Sequence, residues 1–286
     1  MQNILVTGKN GQLGNELQAL ASAYPQYQFL YTDKAELDIT SAGLVQDFFS
    51  EHKPVACINA AAYTAVDKAE SEKEIAFKVN AEAVKKLATA CNIHNTKFIQ
   101  VSTDYVFDGL ATTPYKEDSV TSPVNYYGYT KLKGEEFAMA ECASTIVVRT
   151  SWVYSSFGNN FVKTMLRLMK ERESINVVSD QFGSPTYAAD LAEAILKIAT
   201  SQEKNDRGIY HFSNNGDISW FDFAIAIKEL SNSNCVVNPI PTAAYPTPAK
   251  RPAYSVFDKS KIQEVFGIEL KDWKESLETC IRLSAR

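Results

Sequence analysis

The chain has 286 residues, of which 45% are hydrophobic and 22% charged, and its formal net charge is −5 at pH 7. Because nucleic acids and anionic membrane surfaces attract clustered lysine and arginine, this mild acidity argues against either partner. We expect neither a membrane span nor a signal peptide, since no apolar run approaches about 18 residues and the first residues lack a basic start.

Over the first 150 residues, short apolar runs alternate with amphipathic stretches. The apolar runs predict buried strands at residues 3–7, 27–32, 55–59, 97–102 and 145–149. Helical periodicity predicts helices at residues 12–23, 41–52, 73–91 and 131–141. This order is typical of βαβ units and a parallel sheet, whose strands are apolar throughout because both faces are buried.

After residue 150 the alternation is less regular. It predicts helices at residues 160–171, 188–200 and 220–230 and strands at residues 175–178 and 208–212. Five prolines between residues 239 and 252 predict an irregular segment there, rather than a strand centre or a helix interior. We therefore predict an α/β fold with a doubly wound parallel sheet and a smaller α/β substrate-binding cap. The predicted ranges are residues 1–150 with about 186–216 for the sheet domain, and about 151–185 with 217–286 for the cap.

Three of the twelve glycines lie within seven positions, at Gly8, Gly11 and Gly14, between the first predicted strand and the first predicted helix. Gly8 permits a tight turn, Gly11 lets a diphosphate approach the backbone, and Gly14 lets the helix pack closely on the strand. The diphosphate would bind free N–H groups at the start of the helix. This context predicts a Rossmann-like dinucleotide site, and the absence of a G-x-x-x-x-G-K-[ST] loop disfavours a P-loop enzyme.

The glycine spacing resembles that of the extended branch of the short-chain dehydrogenase/reductase superfamily. After the second predicted strand, Asp33 would hold a ribose 2′-hydroxyl and favour NAD, whereas Lys34 would tolerate a 2′-phosphate and favour NADP. The sequence leaves this choice open, and Asp33 is equally well explained as a turn residue. Asp38 and Ile39 resemble the superfamily's adenine-contacting pair, with a helix N-cap as the alternative for Asp38.

Tyr127 and Lys131 form a Tyr-x-x-x-Lys pair, whose side chains share one face of a helix. A nearby cation lowers the pKa of a phenol, which would allow proton exchange near neutral pH as carbonyl reduction requires. Thr103 follows the strand predicted at residues 97–102, at the end of a parallel strand where ligands bind. Its hydroxyl would hydrogen-bond the substrate oxygen that Tyr127 protonates; a capped strand end is the alternative.

Seven motifs occur in order along nearly the whole chain, at residues 8–14, 59–70, 102–109, 127–131, 149–154, 181–186 and 251–252. Together they resemble the dTDP-4-dehydrorhamnose reductase family. The resemblance implies an NADPH- or NADH-dependent oxidoreductase that reduces the 4-keto group of dTDP-4-dehydro-L-rhamnose to give dTDP-L-rhamnose, a precursor of cell-surface polysaccharide. In that reaction Tyr127 would supply the proton, and Lys131 would lower the tyrosine pKa and hold the nicotinamide ribose.

The resemblance also implies which residues bind the ligands. The cofactor residues are Gly8, Asn10, Gly11, Gln12, Leu13, Gly14, Asp38, Ile39, Ala62, Tyr63, Thr64, Val101, Tyr127 and Lys131. The substrate residues are Thr103, Asp104 and Trp152, with a core aromatic as the alternative for Trp152. Tyr63 stands where the family often has histidine, and because an aromatic ring is kept we expect little change.

Some members of the family use acidic residues for a magnesium-bridged dimer. Glu16 and Asp190 resemble two such positions, but residues 271–286 offer no obvious third, and we expect Glu16 to be an exposed helix residue. We therefore predict no metal site. A homodimer is one assembly that the sequence allows. Arg251 would bind a substrate phosphate or form a surface ion pair.

Two other functions stay open at this point. A nucleotide-sugar epimerase or dehydratase would share the glycine loop and the Tyr-x-x-x-Lys pair, but dehydratases resemble Thr-Asp-Glu where this chain has Thr103, Asp104 and Tyr105. A non-catalytic NAD(P)-binding regulatory subunit, like a relative that serves methionine adenosyltransferase, is disfavoured by the intact candidate residues. The five cysteines are odd in number and widely spaced, which predicts reduced core thiols and a cytoplasmic protein.

Overall fold

The computed structural model describes residues 1–201 and 206–284. Residues 202–205 of the predicted sheet domain and residues 285–286 of the predicted cap lie outside the described residues. The strands are β1 Gln2–Thr7, β2 Tyr27–Thr32, β3 Ala56–Asn59, β4 Lys97–Thr103, β5 Thr145–Thr150, β6 Val153–Tyr154, β7 Ser174–Val178, β8 Phe182–Gly183, β9 Thr186–Tyr187, β10 Gly208–Phe212, β11 Ile218–Ser219 and β12 Val236–Ile240. Six of them form a sheet in the order β10-β5-β4-β3-β1-β2, and every neighbouring pair is parallel.

Helices lie on both faces of this sheet and also outside it. They are α1 Gln12–Leu20, α2 Ala42–His52, α3 Val66–Ala69, α4 Lys73–Phe77, α5 Ala83–Ile93, α6 Tyr126–Glu141, α7 Phe161–Glu171, α8 Ala188–Thr200, α9 Trp220–Leu230, α10 Ser260–Phe266 and α11 Trp273–Ser284. In β1, Ile4 and Val6 pack with α1 and α8, whereas Leu5 packs with α2 and α5. Because alternate side chains enter two different cores, the strand is apolar throughout, and the predicted doubly wound sheet is confirmed.

Two of the predicted helices differ in detail. The helix predicted at residues 73–91 contains a π-helical segment at Lys78–Glu82. The Asn80 side chain in this segment is buried and bonds both backbone groups of Tyr63, accepting from its N–H at 2.8 Å. The helix predicted from residue 131 begins at Tyr126, because the Asn125 side chain caps it by accepting from the Gly128 N–H at 2.8 Å.

A second, smaller core lies outside the six-stranded sheet. It joins α7, α9 and α11 with β7, and includes Val162, Ile175, Phe223 and Leu277. The residues of α10 pack elsewhere, since Ile262 and Phe266 belong to the sheet core with α8. The division of the chain into a sheet domain and a cap stays a prediction.

The proline-rich segment at residues 239–252 begins inside a strand, so the expectation of an irregular segment is wrong at its start. β12 includes Pro239 and pairs in parallel with β7. The N–H of Val236 donates to the Glu173 carbonyl, and the Ile240 carbonyl accepts from the residue that follows β7. Since alternate residues point to opposite edges of a strand, Pro239, which has no N–H, faces away from the ladder.

Candidate active site

A cleft of about 880 Å³ follows the carboxyl ends of the central strands. Most of the cofactor and substrate residues expected from the sequence line it, namely Gly8, Asn10, Gly11, Gln12, Leu13, Asp38, Ile39, Ala62, Thr64, Val101, Thr103, Asp104, Tyr127, Lys131 and Trp152. Gly14 and Tyr63 do not line it. Gly14 lies beneath the glycine loop, and the Tyr63 hydroxyl donates to Glu72 at 2.7 Å.

The glycine loop has the geometry that a diphosphate requires. Gly8 has a φ of +74°, and a Cβ on it would lie 2.7 Å from the Ala61 nitrogen. A Cβ on Gly14 would meet the Gly8 carbonyl, so larger residues would separate the helix from the loop. Gly11 precedes α1, and within the described residues no side chain caps this helix and none in its first turn is acidic. Its free N–H groups therefore fit a bound phosphate.

Beyond the glycine loop, the cleft holds one acid and one base from the turn after β2. Asp33 accepts the Ala35 N–H at 2.8 Å and also bonds the Asn10 amide, so it is a turn residue as well as a lining residue. Lys34 lines the same end of the cleft. Both candidates for ribose recognition are therefore in place, and the choice between NAD and NADP stays open.

Asp38 is not the N-cap of α2. Its carboxylate accepts from the N–H and the hydroxyl of Thr40, at 2.9 and 2.7 Å, and these bonds lower its pKa. The cap is Ser41, whose hydroxyl accepts from the Leu44 N–H. Asp38 thus closes a local turn at the cleft, and its role against adenine stays a prediction.

Tyr127, Lys131 and Thr103 meet at the centre of the cleft. Tyr127 and Lys131 lie one turn apart on α6 and are both buried, and the Thr103 hydroxyl at the end of β4 lies beside the Tyr127 phenol. The Lys131 ammonium donates to the Val101 carbonyl at 2.7 Å. Burial lowers the pKa of Lys131 to about 8, opposed by the nearby Glu135 carboxylate.

The pKa of Tyr127 differs from the expectation. We expected Lys131 to lower it, but burial raises it well above its ordinary value, and the Asp104 charge adds to the rise. Lys131 contacts the backbone of β4 instead of the phenol. In this arrangement Tyr127 is therefore a protonated phenol at neutral pH, able to donate a proton.

Asp104 is a buried carboxyl beside this group. The Thr103 hydroxyl donates to it at 3.0 Å, and the nearby Ser255 hydroxyl favours its ionised form. Burial raises its pKa to about 6 despite both hydroxyls. Thr103 also accepts from the Tyr105 N–H at 3.3 Å, so it caps the strand end and faces the cleft at once.

Glu16 and Arg251, two further positions singled out in the sequence, contact other side chains of the protein. Glu16 is only 5% exposed, so the expectation of an exposed residue is wrong: Ser155 covers it and donates to it at 2.6 Å. Burial raises the pKa of Glu16. Arg251 forms a bidentate ion pair with Asp67, at 2.6 and 2.9 Å, and so takes the second of its two predicted roles. In residues 1–201 and 206–284, no group of three or more His, Cys, Asp or Glu side chains could hold a metal ion.

Several residues that support the site were missed. Asn125 caps α6, Ser255 lies beside Asp104, Asp67 pairs with Arg251, and Trp220 stacks on Trp152. Asp67 lies within a motif that the sequence analysis used, and Asn125 carries the local signal of a preferred N-cap residue. Ser255 and Trp220 come from distant parts of the chain and carry no local signal.

Comparisons with known proteins agree with this geometry. A family model described as the RmlD substrate binding domain matches residues 1–285. The chain is 46% identical to a dTDP-4-dehydrorhamnose reductase of Aggregatibacter actinomycetemcomitans, over 97% of each chain. It also resembles a solved dTDP-4-dehydrorhamnose reductase of Clostridium acetobutylicum, with a TM-score of 0.96, 42% identity and 100% of each chain covered. A third relative, the Bacillus anthracis reductase solved in complex with NADP, has a TM-score of 0.93 and 42% identity over 99% of each chain.

Proposed function

Since the chain belongs to the dTDP-4-dehydrorhamnose reductase family, we propose that it reduces the 4-keto group of dTDP-4-dehydro-L-rhamnose to give dTDP-L-rhamnose. The observation that carries this proposal is the meeting of Tyr127, Lys131 and Thr103 in the cleft that also contains the glycine loop. A proton donor, a cation and an orienting hydroxyl beside a dinucleotide cradle are what carbonyl reduction needs.

The glycine loop and α1 would hold the cofactor diphosphate, and Lys131 would bind the nicotinamide ribose. A bound NADPH or NADH supplies the hydride for the reduction. Lys34 at the cleft, together with the Bacillus anthracis relative solved with NADP, favours NADPH over NADH. The remaining chemistry belongs to side chains of this protein.

Tyr127 donates its phenolic proton to the sugar O4 as that oxygen gains negative charge. The raised pKa suits this role because the phenol stays protonated until the substrate oxygen becomes more basic. When the sugar binds, the Thr103 hydroxyl would turn its proton from Asp104 to the same oxygen and orient that oxygen towards Tyr127. The Lys131 ammonium then stabilises the phenolate that is left, through the electrostatic field of the buried site.

The sugar would lie against Asp104 and Trp152, which line the cleft. We also propose a cytoplasmic location. Its support is that all five cysteines are buried free thiols, as in proteins of reducing compartments. Among residues 1–201 and 206–284, no helix is long and apolar enough to span a membrane. The homodimer stays a prediction that sedimentation of the purified chain would check.

The test is an assay of the purified chain with dTDP-4-dehydro-L-rhamnose, run with NADPH and NADH in parallel. We expect nicotinamide oxidation that depends on the sugar, with one equivalent of dTDP-L-rhamnose formed for each equivalent oxidised. UDP- and GDP-linked keto sugars serve as controls for the base. No oxidation with either cofactor would overturn the proposal, and stoichiometric nicotinamide retained by the purified protein would point to an epimerase or dehydratase.

A further inference from the structure

Trp152 has a backbone conformation that side chains rarely adopt. Its φ is +48°, in the left-handed region, and its half-buried indole lines the cleft. Because this conformation strains the backbone, it persists where the surrounding contacts hold it in place. Such residues cluster at functional sites. We propose that Trp220 and Gly183 are positioning residues, which hold the Trp152 indole in one fixed orientation against the sugar of the substrate. This inference rests on the proposed function.

Trp220 supports one face of that indole. The two rings are stacked with centroids 3.6 Å apart and planes 9° apart. Trp220 is itself held from behind by Phe161, whose ring centroid is 4.6 Å away. It is the first residue of α9, and a capping box of Ser219 and Asp222 determines where that helix begins. The two stacked rings therefore pack against the second, smaller core.

Gly183 leaves the space that the indole occupies. A Cβ on Gly183 would lie 2.7 Å from Cε2 of Trp152 and 2.8 Å from Cζ2 and Nε1. The φ of Gly183 lies outside the left-handed region, so its backbone does not require glycine, and the three nearest atoms that a side chain would meet all belong to Trp152. Gly183 pairs with Ile218, two residues before Trp220, which brings both contacts to one place.

The consequence is an aromatic surface that is already immobile before the substrate arrives. A side chain that is ordered beforehand loses little rotamer entropy on binding, so the apolar face of a sugar ring gains more from the contact. Loosening the indole should therefore weaken substrate binding and leave the cofactor end of the cleft unchanged.

The first test is Gly183→Ala, which places one methyl group against the indole. We expect the KM for the dTDP-sugar to rise about three- to tenfold, which corresponds to the usual range of one aromatic contact. The KM for NADPH should not change and kcat should change less than the sugar KM. The matched control is Gly43→Ala, because a Cβ there would meet nothing within 4 Å.

The second test uses circular dichroism, which does not depend on activity. Two stacked indoles give an exciton couplet, and the chain has three tryptophans, of which Trp152 and Trp220 stack on each other. We expect Trp220→Leu to abolish the couplet and raise the sugar KM, and Trp220→Phe to restore most of the KM. Trp273→Phe is the control that leaves the couplet in place.

The outcomes separate this inference from the proposed function. If the wild type turns over and Trp220→Leu loses the couplet without a rise in the sugar KM, the positioning role is overturned. The proposed function is then left standing. An unchanged couplet and KM in Gly183→Ala would also overturn the positioning role, even if Trp220→Leu failed to fold. Absence of turnover in the wild type would overturn the proposed function, and this inference with it.

Discussion

Tyr127 and Asp104 are buried acids on either side of one hydroxyl, that of Thr103, and burial raises the pKa of both. The phenol therefore stays protonated at neutral pH, whereas the carboxyl titrates at about pH 6. Lys131 is shifted in the opposite direction, because burial disfavours its charged form. At pH 7 Tyr127 is therefore neutral, whereas Asp104 and Lys131 are mostly charged although burial disfavours their charged forms.

Tyr127→Phe should lower kcat by about 10²- to 10⁴-fold, the usual contribution of a general acid. Cofactor affinity should change little, because the ring and its packing are kept. Tyr129→Phe is the matched control, since Tyr129 is on the same helix and 40% exposed. Steady-state kinetics with the dTDP-sugar measures both variants, and an unchanged kcat for Tyr127→Phe would mean that another group donates the proton.

Lys131→Met should lower kcat and weaken cofactor binding, yet stabilise the fold at pH 7. The pKa of Lys131 is about 8 in the folded protein against an ordinary 10.5, so the penalty on folding grows as the pH falls from 10.5 to 8 and is nearly complete at pH 7. Removing the charge relieves a penalty of up to about 3 kcal/mol. Urea unfolding at pH 7 and cofactor titration measure the two effects, with Lys133→Met as the control. A variant with full activity would contradict the assignment.

The Asp104→Asn variant should be more stable than the wild type, by a difference in the free energy of unfolding that grows as the pH rises. Because the folded pKa is raised to about 6 from 3.8, the stability that the protonated carboxyl provides is lost as the pH rises from 3.8 through 6. The difference in the free energy of unfolding should be smallest below pH 4 and reach up to about 3 kcal/mol at pH 7.

Asp180→Asn is the control of opposite sign for that experiment. Hydrogen bonds from Thr242 lower the pKa of Asp180, so the ionised form stabilises the fold at neutral pH. The stabilisation that Asp180 gives is present above pH 3.8 and is lost as the pH falls below it, so urea unfolding from pH 2 to pH 7 should show the wild type losing its advantage over Asp180→Asn only at the acid end. The same sign for both variants would contradict the assigned burial of Asp104.

At the scale of the element, α6 carries most of the chemistry. Its 3.6-residue turn places Tyr127, Lys131 and Glu135 on one face, above the end of β4. The relation of Tyr127 to Lys131 could be predicted from their spacing alone. The start of the helix was predicted five residues late, at residue 131, although Asn125 is a preferred cap residue. The bonds that also hold this turn, from Asn125 to the Lys250 carbonyl and from the Tyr126 N–H to the Glu70 carboxylate, join distant residues and carry no local signal.

Asn125→Ala should lower kcat about tenfold, because the first turn of α6 loses both its cap and its tie to Lys250 and no longer holds Tyr127 in place. Stability should fall by about 1 kcal/mol, as for the loss of other N-caps. Ser41→Ala removes the cap of α2 and is the matched control. Equal kcat values in the two variants, measured at saturating substrate, would show that the cap has no part in positioning.

At the scale of the whole molecule, a buried ion pair connects α6 to the sheet. Arg149 in β5 bonds Glu135 through two nitrogens, at 3.0 and 2.7 Å, and each residue is 2% exposed. His211 in β10 lies beside them, and burial together with the Arg149 charge lowers its pKa to about 3. The Arg149–Glu135 pair thus connects α6 to β5, next to the edge strand β10.

Arg149→Met should lower the free energy of unfolding by about 3–5 kcal/mol, because Glu135 would be left buried without its partner. The double variant Arg149→Met with Glu135→Met should recover most of that loss, since two packed apolar chains replace two paired charges. Urea unfolding gives the coupling, and Arg167→Met, which breaks an exposed pair with Glu171, should cost below about 1 kcal/mol. Additive effects would contradict the pairing.

The glycine loop, the strand-and-helix order and the Tyr127–Lys131 pair were all predictable from sequence. Each depends on local rules: turn geometry, side-chain periodicity, and the spacing of one helical turn. The irregular start expected for residues 239–252 was wrong because strand pairing with β7 overrode the local preference of Pro239. The exposure expected for Glu16 was wrong because its partner Ser155 is 139 residues away.

Burial and distant partners decided the rest. The direction of the Tyr127 pKa, the protonation of Asp104, the choice of Asp67 by Arg251 and the stack of Trp220 on Trp152 all depend on residues that only folding brings together. The Asp67–Arg251 pair, for example, joins positions 184 residues apart. Spacing along the chain determines which groups share a helix face, whereas desolvation and ion pairing depend on what covers them.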